Sequence, residues 1–143
     1  MARAAGQTRR RAREAAFRTA YQAEATGDSY AAAWEARQAE EGLGEAQREL
    51  VDDVVSALER RGAELDGWIR DAAEHWPLER MSATDRAVLR AAVAELVARP
   101  GTPARVVLDE AIEISRRFGS EESSRFVNGI LDRIAHAVRS GEW

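Results

Sequence analysis

Residues 50–58 read LVDDVVSAL, and this stretch decides the fold class. Its apolar residues recur every three or four positions, which places them on one face of an α-helix. The same spacing recurs further along the chain, and no stretch shows the strict alternation of a half-buried strand. The sequence therefore predicts an all-α protein. The apolar stripes are Leu50, Val51, Val54, Val55 and Leu58; Leu65, Trp68, Ile69, Ala72 and Trp76; Leu89, Val93, Leu96 and Val97; Val107, Ala111, Ile114 or Ser115, and Phe118; and Val127, Leu131, Ile134 and Val138.

Glycine, proline and capping residues divide the chain into about seven predicted helices. Thr8 is suited to cap the first helix. In residues 99–103 (RPGTP), Thr102 is suited to cap a helix and Pro103 to occupy its first position. We expect one domain over residues 1–143, with one helical layer at about 8–62 and another at about 64–139. The other predicted breaks are residues 27–29, Gly42 to Gly44, Gly62, Trp76-Pro77 and Gly119-Ser120.

The composition excludes several classes of function. The chain has 143 residues, 45% hydrophobic and 32% charged, which suits one globular domain with its own core. It has no cysteine, and neither His75 nor His136 lies in a motif with a nucleophile or a second metal ligand. We therefore predict no enzyme activity, no cofactor and no metal site. Because no apolar membrane span or secretory signal is present, we expect a cytoplasmic protein.

The first 18 residues are basic, whereas the rest of the chain is acidic. They contain six arginines and only one acid, Glu14, so the remainder carries −9 of a net charge of −4. Arg9, Arg10, Arg11 and Arg13 cluster at the predicted start of the first helix, where the helix dipole disfavours cations. A polyanion bound there would offset this cost, and phosphate is the natural candidate. The alternative is a solvated basic end without a function.

Aromatic residues and further arginines lie near this basic segment or near the Gly119-Ser120 break. Phe17 is predicted to be buried, whereas Tyr21, one turn later, is suited either to the core or to stacking on an RNA base. Phe126 leaves the same two alternatives open, with the core as the default. A second basic group consists of Arg116, Arg117 and Arg125. It either extends the RNA-binding surface or forms a solvated face neutralised by Glu121 and Glu122.

Four blocks of residues follow one another in a fixed order along most of the chain. They are residues 9–16 (RRRAREAA) with Tyr21 following; residues 85–90 (DRAVLR) continuing to Glu95-Leu96; Thr102-Pro103 leading to Val107 and residues 110–113 (EAIE); and residues 117–119 (RFG) with residues 126–132 (FVNGILD). In this order and spacing, residues 9–134 resemble the family of the transcription antitermination factor NusB.

The resemblance implies a fold of two small helical bundles and a role in transcription. Proteins of this family bind a short single-stranded RNA element called boxA together with the ribosomal protein NusE. The pair helps to assemble an antitermination complex on RNA polymerase during ribosomal RNA synthesis. The RNA contacts implied by the resemblance are Arg9, Arg10 and Arg11, with Tyr21, Glu122 and Phe126; Arg13 is predicted as a further RNA contact because it belongs to the same arginine cluster. The implied contacts to the basic protein partner are Tyr21, Glu79 and Asp85.

Some of these assignments have structural alternatives. Ser82 and Asp85 have the spacing of a capping box, so Asp85 is also suited to a purely structural role. The family usually has an aromatic residue where this chain has Ala94, just before Glu95-Leu96. Two other functions remain open from the sequence: a helical protein-binding scaffold without RNA binding, and the RNA-delivery module of an RNA methyltransferase.

Overall fold

The computed structural model describes the backbone of residues 2–143 and the side chains of residues 9–143. This part of the chain contains six α-helices and no strand, which confirms the all-α prediction. It also contains two short 3-10 helices, Leu78–Arg80 and Ser140–Glu142. The six α-helices are α1 (Ala2–Thr26), α2 (Tyr30–Glu41), α3 (Glu45–Ala73), α4 (Ala83–Ala98), α5 (Ala104–Phe118) and α6 (Glu121–Val138).

The chain has six α-helices instead of seven because α3 continues through Gly62. Glycine costs about 1 kcal/mol relative to alanine inside a helix, which is too little to break one that is held by packing. Leu58 and Leu65, on either side of Gly62, are both buried, so a single stripe spans the predicted break. The predicted boundary between the two helical layers, at residues 62–64, therefore falls within α3.

The first helix begins earlier than the sequence predicted. α1 starts at Ala2, so the expectation that Thr8 caps it is wrong; the Thr8 side chain lies outside the described side chains. The end of α1 is as predicted. Gly27 adopts φ +79°, a left-handed conformation that favours glycine, and the Ser29 hydroxyl accepts a hydrogen bond from the Ala32 N–H at the start of α2.

The later breaks follow the predicted capping chemistry, with one shift. The Ser82 hydroxyl accepts from the Asp85 N–H at the start of α4, and Ser120 does the same for the Ser123 N–H in α6. The cap predicted for α5 is displaced by one residue, because Pro103 and not Thr102 is the capping position. Neither side chain caps that helix.

The start of α5 is capped from the other end of the chain. The Ala104 N–H donates to Glu142 Oε1 at 3.0 Å. Arg139, three residues before Glu142, donates to the carbonyl oxygens of Leu96 and Arg99 at the end of α4. These contacts fasten the C-terminal residues to the α4–α5 corner.

α4 lies at the centre of the protein and packs against α1, α3, α5 and α6. Its residues from Ala87 to Leu96 are buried except Arg90, which is partly buried. The predicted stripes are buried in all five segments, with two clear exceptions. Trp76 is 50% exposed and Phe118 is 36% exposed, so the prediction that these two side chains lie in the core is wrong. Among the helices described, none is both long and apolar enough to span a membrane.

Candidate nucleic-acid interface

Three of the predicted RNA-binding arginines are exposed on α1. Arg9, Arg10 and Arg11 lie about two turns beyond the first residue of the helix, and the field of a helix terminus falls off within one turn. The predicted dipole penalty is therefore absent, and the argument that an anion must offset it does not hold. What supports an anion site is that three consecutive arginine side chains are exposed.

These three side chains differ in their intramolecular partners. Arg9 makes no hydrogen bond or ion pair with any side chain or backbone group from residue 9 onward. Arg10 donates from Nε and Nη2 to the two carboxylate oxygens of Glu110 on α5, at 2.9 and 3.1 Å. Arg11 donates to the backbone carbonyl of Glu41 at 3.3 Å. Arg9 is thus available to an external anion, whereas Arg10 already holds a carboxylate.

Arg13 is not a surface residue. It is 7% exposed, and its guanidinium donates three hydrogen bonds of 2.8 to 3.0 Å to the buried carboxylate of Glu95 on α4. Because α1 turns this side chain towards the core, it has no surface to offer a phosphate. The prediction that Arg13 contacts RNA is therefore dropped, and the pair joins α1 to α4 inside the protein.

An aromatic cluster lies further along α1, beside the end of α5. Phe17 is buried as predicted, and its ring centroid lies 5.0 Å from that of Phe118 and 6.3 Å from that of Tyr21. Tyr21 and Phe118 are the exposed members of this cluster. The guanidinium carbons of Arg18 and Arg117 each lie 5.4 Å from the Phe118 ring centroid, a cation–π distance.

Phe118 was not predicted as a candidate functional residue, because it continues the apolar stripe of α5 and was therefore expected to be buried. It is the last residue of that helix, where a stripe can leave the core. Its neighbours in the sequence give a weak indication that its side chain is exposed, since Arg117 precedes it and Gly119 ends the helix. Arg18 pairs with Glu14, one turn earlier on the helix, at 3.7 Å, and it also contacts Glu41 at 3.5 Å.

A surface cavity of about 320 Å³ lies where the starts of α4 and α6 meet the segment after α3. Phe126 and Trp76 contact each other edge to face, with ring centroids 6.4 Å apart, and both line this cavity. Phe126 is partly buried against the core, and Trp76 is exposed beside it. Glu122 is exposed at the rim.

Asp85 lies at the same cavity but is buried. Ser82 caps α4 through the Asp85 N–H, as the capping-box spacing predicted. The Oδ1 atom of Asp85 is buried without a hydrogen-bond partner among the described residues. Burial raises the pKa of the Asp85 carboxyl above its ordinary value, and hydrogen bonding to Ser123 and Ser82 opposes part of that rise.

Glu79, the other acid assigned to the partner surface, is exposed. It accepts a hydrogen bond from Arg70 at 3.0 Å. Its own backbone N–H, and after that Arg70, lower the pKa of the Glu79 carboxyl, so it is ionised at neutral pH. Of the two acids, Glu79 presents its charge to solvent, and the buried Asp85 does not.

The second basic group is largely neutralised, as the solvated-face alternative predicted. Arg116 pairs with Glu113 and Glu121, each at 2.8 Å, and Arg117 pairs with Glu14 at 2.7 Å. Arg125 is exposed and has no ion-pair partner in the described part of the chain. Three or more side chains of His, Asp or Glu do not come together as a metal site anywhere among the described residues.

A family model and several individual relatives that match this chain all belong to one family. The sequence model described as "NusB family" matches residues 10–136. The transcription antitermination protein NusB of Myxococcus xanthus is 41% identical over 138 residues, which cover 91% of this chain and 96% of that protein. The NusB protein of Koribacter versatilis is 46% identical over 96 residues, and this alignment spans 67% of the chain and 66% of the relative.

Solved structures have the same fold. T. maritima NusB is 37% identical, with a TM-score of 0.80 and 89% of each chain covered. A chain from the crystal structure of antitermination factors NusB and NusE in complex with dsRNA has a TM-score of 0.81 over 92% of this chain and 98% of that one. Its identity of 24% shows a shared fold only.

Proposed function

The chain belongs to the NusB family, and from this we propose that it is an RNA-binding antitermination factor that recognises boxA-type single-stranded RNA together with the ribosomal protein NusE. NusB family proteins are non-enzymatic transcription factors. In this proposal the protein works in the cytoplasm on the transcribing RNA polymerase complex, during synthesis of ribosomal RNA.

The observation that carries the proposal is the exposed side of α1. Arg9, Arg10 and Arg11 are three consecutive exposed arginines in a protein whose remaining charge is negative; Arg10 reaches towards α5 and Arg11 towards the end of α2. Guanidinium groups neutralise backbone phosphates and release their counterions, which supplies affinity. Tyr21 and Phe118 then offer exposed rings on which unpaired bases can stack, as single-stranded RNA recognition commonly requires.

Phe126 and Glu122 are a second proposed RNA contact, at the cavity beside Trp76. A half-buried ring is held in position by its packing, which lowers the entropy cost of stacking a base on it. Glu122 carries a charge of the same sign as RNA. We therefore expect Glu122 to contribute through hydrogen bonding to a base or ribose and not through phosphate binding.

The acidic remainder of the protein supports a basic protein partner. Complementary charge steers association, and Glu79 presents an ionised carboxylate at the surface. A protein of the same fold has been crystallised with NusE and double-stranded RNA, which supports NusE as that partner. Tyr21 is suited to contact either the RNA or NusE. We expect Asp85 to act mainly on the shape of the surface, because its charge is buried.

A binding experiment tests the proposed function. Binding of the purified protein is measured to a boxA-like RNA and to a scrambled RNA of equal length, each with and without purified NusE. The proposal predicts tighter binding to the boxA-like RNA and a further gain with NusE. Binding to NusE without measurable RNA binding would contradict it and would support a protein scaffold.

A further inference from the structure

We infer that Glu110 occupies the position of an RNA phosphate on Arg10, so that RNA must displace this carboxylate in order to bind. The inference rests on the proposed RNA-binding function and adds a residue that sets the strength of binding. In the free protein, the Nε and Nη2 edge of Arg10 holds both oxygens of Glu110 at 2.9 and 3.1 Å. A phosphate group is recognised by this same edge of arginine with the same paired geometry.

One guanidinium edge cannot hold a carboxylate and a phosphate in this manner at the same time. The Arg10–Glu110 pair lies at the surface, where the arginine side chain is half exposed, so an incoming phosphate can reach it. Binding therefore exchanges one anion for another at Arg10. The interaction lost with Glu110 reduces the net gain from the phosphate.

Arg9 provides the internal contrast. It lies next to Arg10 on α1, is exposed, and has no carboxylate partner among the described side chains. Arg117 is also exposed and already holds a carboxylate, although through a single hydrogen bond, from Nη1 to the buried Glu14 at 2.7 Å. The surface thus contains both arginines that are free and arginines that already hold a carboxylate, and we expect the second kind to limit affinity.

The test is the substitution Glu110→Gln, which keeps the shape of the side chain and removes its charge. We expect the dissociation constant for boxA-like RNA to fall about two- to fivefold at low salt, the range set by exposed ion pairs. The gain should shrink as salt rises, because screening weakens the pair that was removed. Melting curves of both proteins confirm that the variant is folded.

The combination with Arg10→Ala separates exchange at Arg10 from a general effect of charge. If Glu110 acts by occupying Arg10, Glu110→Gln brings no gain when Arg10 is already alanine. The matched control is Glu64→Gln. The Nε and Nη2 atoms of Arg61 on α3 donate to the two carboxylate oxygens of Glu64, at 3.1 and 2.8 Å. Glu64→Gln therefore removes one negative charge, as Glu110→Gln does, but from another part of the surface.

Three results would overturn the inference. They are an unchanged or weaker affinity in Glu110→Gln, an equal gain in the Arg10→Ala background, and an equal gain in Glu64→Gln. A weaker affinity would mean that Glu110 holds Arg10 in the orientation that RNA needs. Failure of the inference is distinguishable from failure of the proposed function, because the unsubstituted protein would still bind boxA-like RNA in an Arg10-dependent manner.

Discussion

Two arginines three residues apart on the same helix have opposite environments in this protein. Arg10 is exposed and Arg13 is buried against Glu95, although both belong to one basic cluster in the sequence. Residues three positions apart lie on neighbouring parts of one helix face, so the boundary between solvent and core passes between Arg10 and Arg13. The functional meaning of an arginine here depends on which side of that boundary it lies.

Tyr21 and Phe17 allow stacking to be separated from packing. Tyr21→Asp is expected to weaken RNA binding by about 1 to 3 kcal/mol and to leave the fold intact, because its ring is exposed at the edge of the cluster. Phe17→Asp, one turn earlier, is the control and should lose cooperative unfolding, since it buries an unpaired charge. Melting curves and RNA titrations on both variants provide the measurement. Unfolding of Tyr21→Asp would assign its ring to the core.

Asp85 predicts a pH dependence of stability. Burial raises the folded-state pKa of its carboxyl above the unfolded value, so its ionised form is disfavoured in the fold. This cost is fully present above the folded-state pKa, shrinks as the pH falls through it, and is absent below the unfolded pKa. Asp85→Asn should therefore be at least as stable as the unsubstituted protein at pH 7, with the difference shrinking as the pH is lowered.

Chemical unfolding of both proteins at a series of pH values tests this expectation. The Asp85 N–H that Ser82 caps is backbone and survives the substitution, so the cap itself should remain. A loss of about 1 kcal/mol in Asp85→Asn at pH 7 would contradict the account and would show that the carboxylate is needed at the helix start.

At the scale of the helix, α3 is the element that the sequence predicted least well. Its 29 residues contain Gly62, and a Cβ atom added there would meet no atom within 4 Å. Gly62→Ala is therefore expected to raise the free energy of unfolding by about 0.5 to 1 kcal/mol, because alanine favours the helix and restricts the unfolded chain. Denaturant unfolding measures the change, and a loss of stability would mean that α3 needs flexibility at this position.

The sequence predicted the helical class, the apolar stripes and most of the capping residues, because each depends on neighbours within one or two turns. Ser82 and Ser120 are examples, since the residue three positions later supplies the capped N–H. The starts of α1 and α5 were placed wrongly, because the local candidates Thr8 and Thr102 are not their capping residues. α1 begins at Ala2 and α5 is capped by Glu142, a residue 38 positions away.

The sequence predicted which arginines belong to the candidate site, but it did not predict the carboxylates with which they pair. The exposure of Arg9, Arg10 and Arg11 agrees with their clustering in the sequence. The partners of Arg10 and Arg13 lie 100 and 82 residues away, so no local pattern could show which guanidinium is buried or already paired. Phe118 was missed for a related reason. An apolar stripe shows which face of a helix is apolar, but it does not show at which residue that face extends beyond the core and becomes exposed.

At the scale of the whole molecule, the protein is an acidic helical body with an exposed row of arginines on one helix. In this account, RNA affinity comes from counterion release at that row, and specificity comes from bases stacked on the neighbouring rings. Arg9, Arg10 and Arg11 contribute little to stability, since none is buried and, among side chains from residue 9 onward, only Arg10 of the three has an ion pair. Replacing all three with alanine should change the free energy of unfolding by less than about 1 kcal/mol.

The salt dependence of RNA binding tests this account most directly. Dissociation constants for a boxA-like RNA are measured over a range of salt concentrations, for the unsubstituted protein and for the variant with Arg9, Arg10 and Arg11 replaced by alanine. Each lost phosphate contact should reduce the log–log slope by about 0.7, so the triple variant should show a slope shallower by about 2 and weaker binding at low salt. An unchanged slope in a folded triple variant would contradict the account, because RNA would then bind elsewhere on the protein.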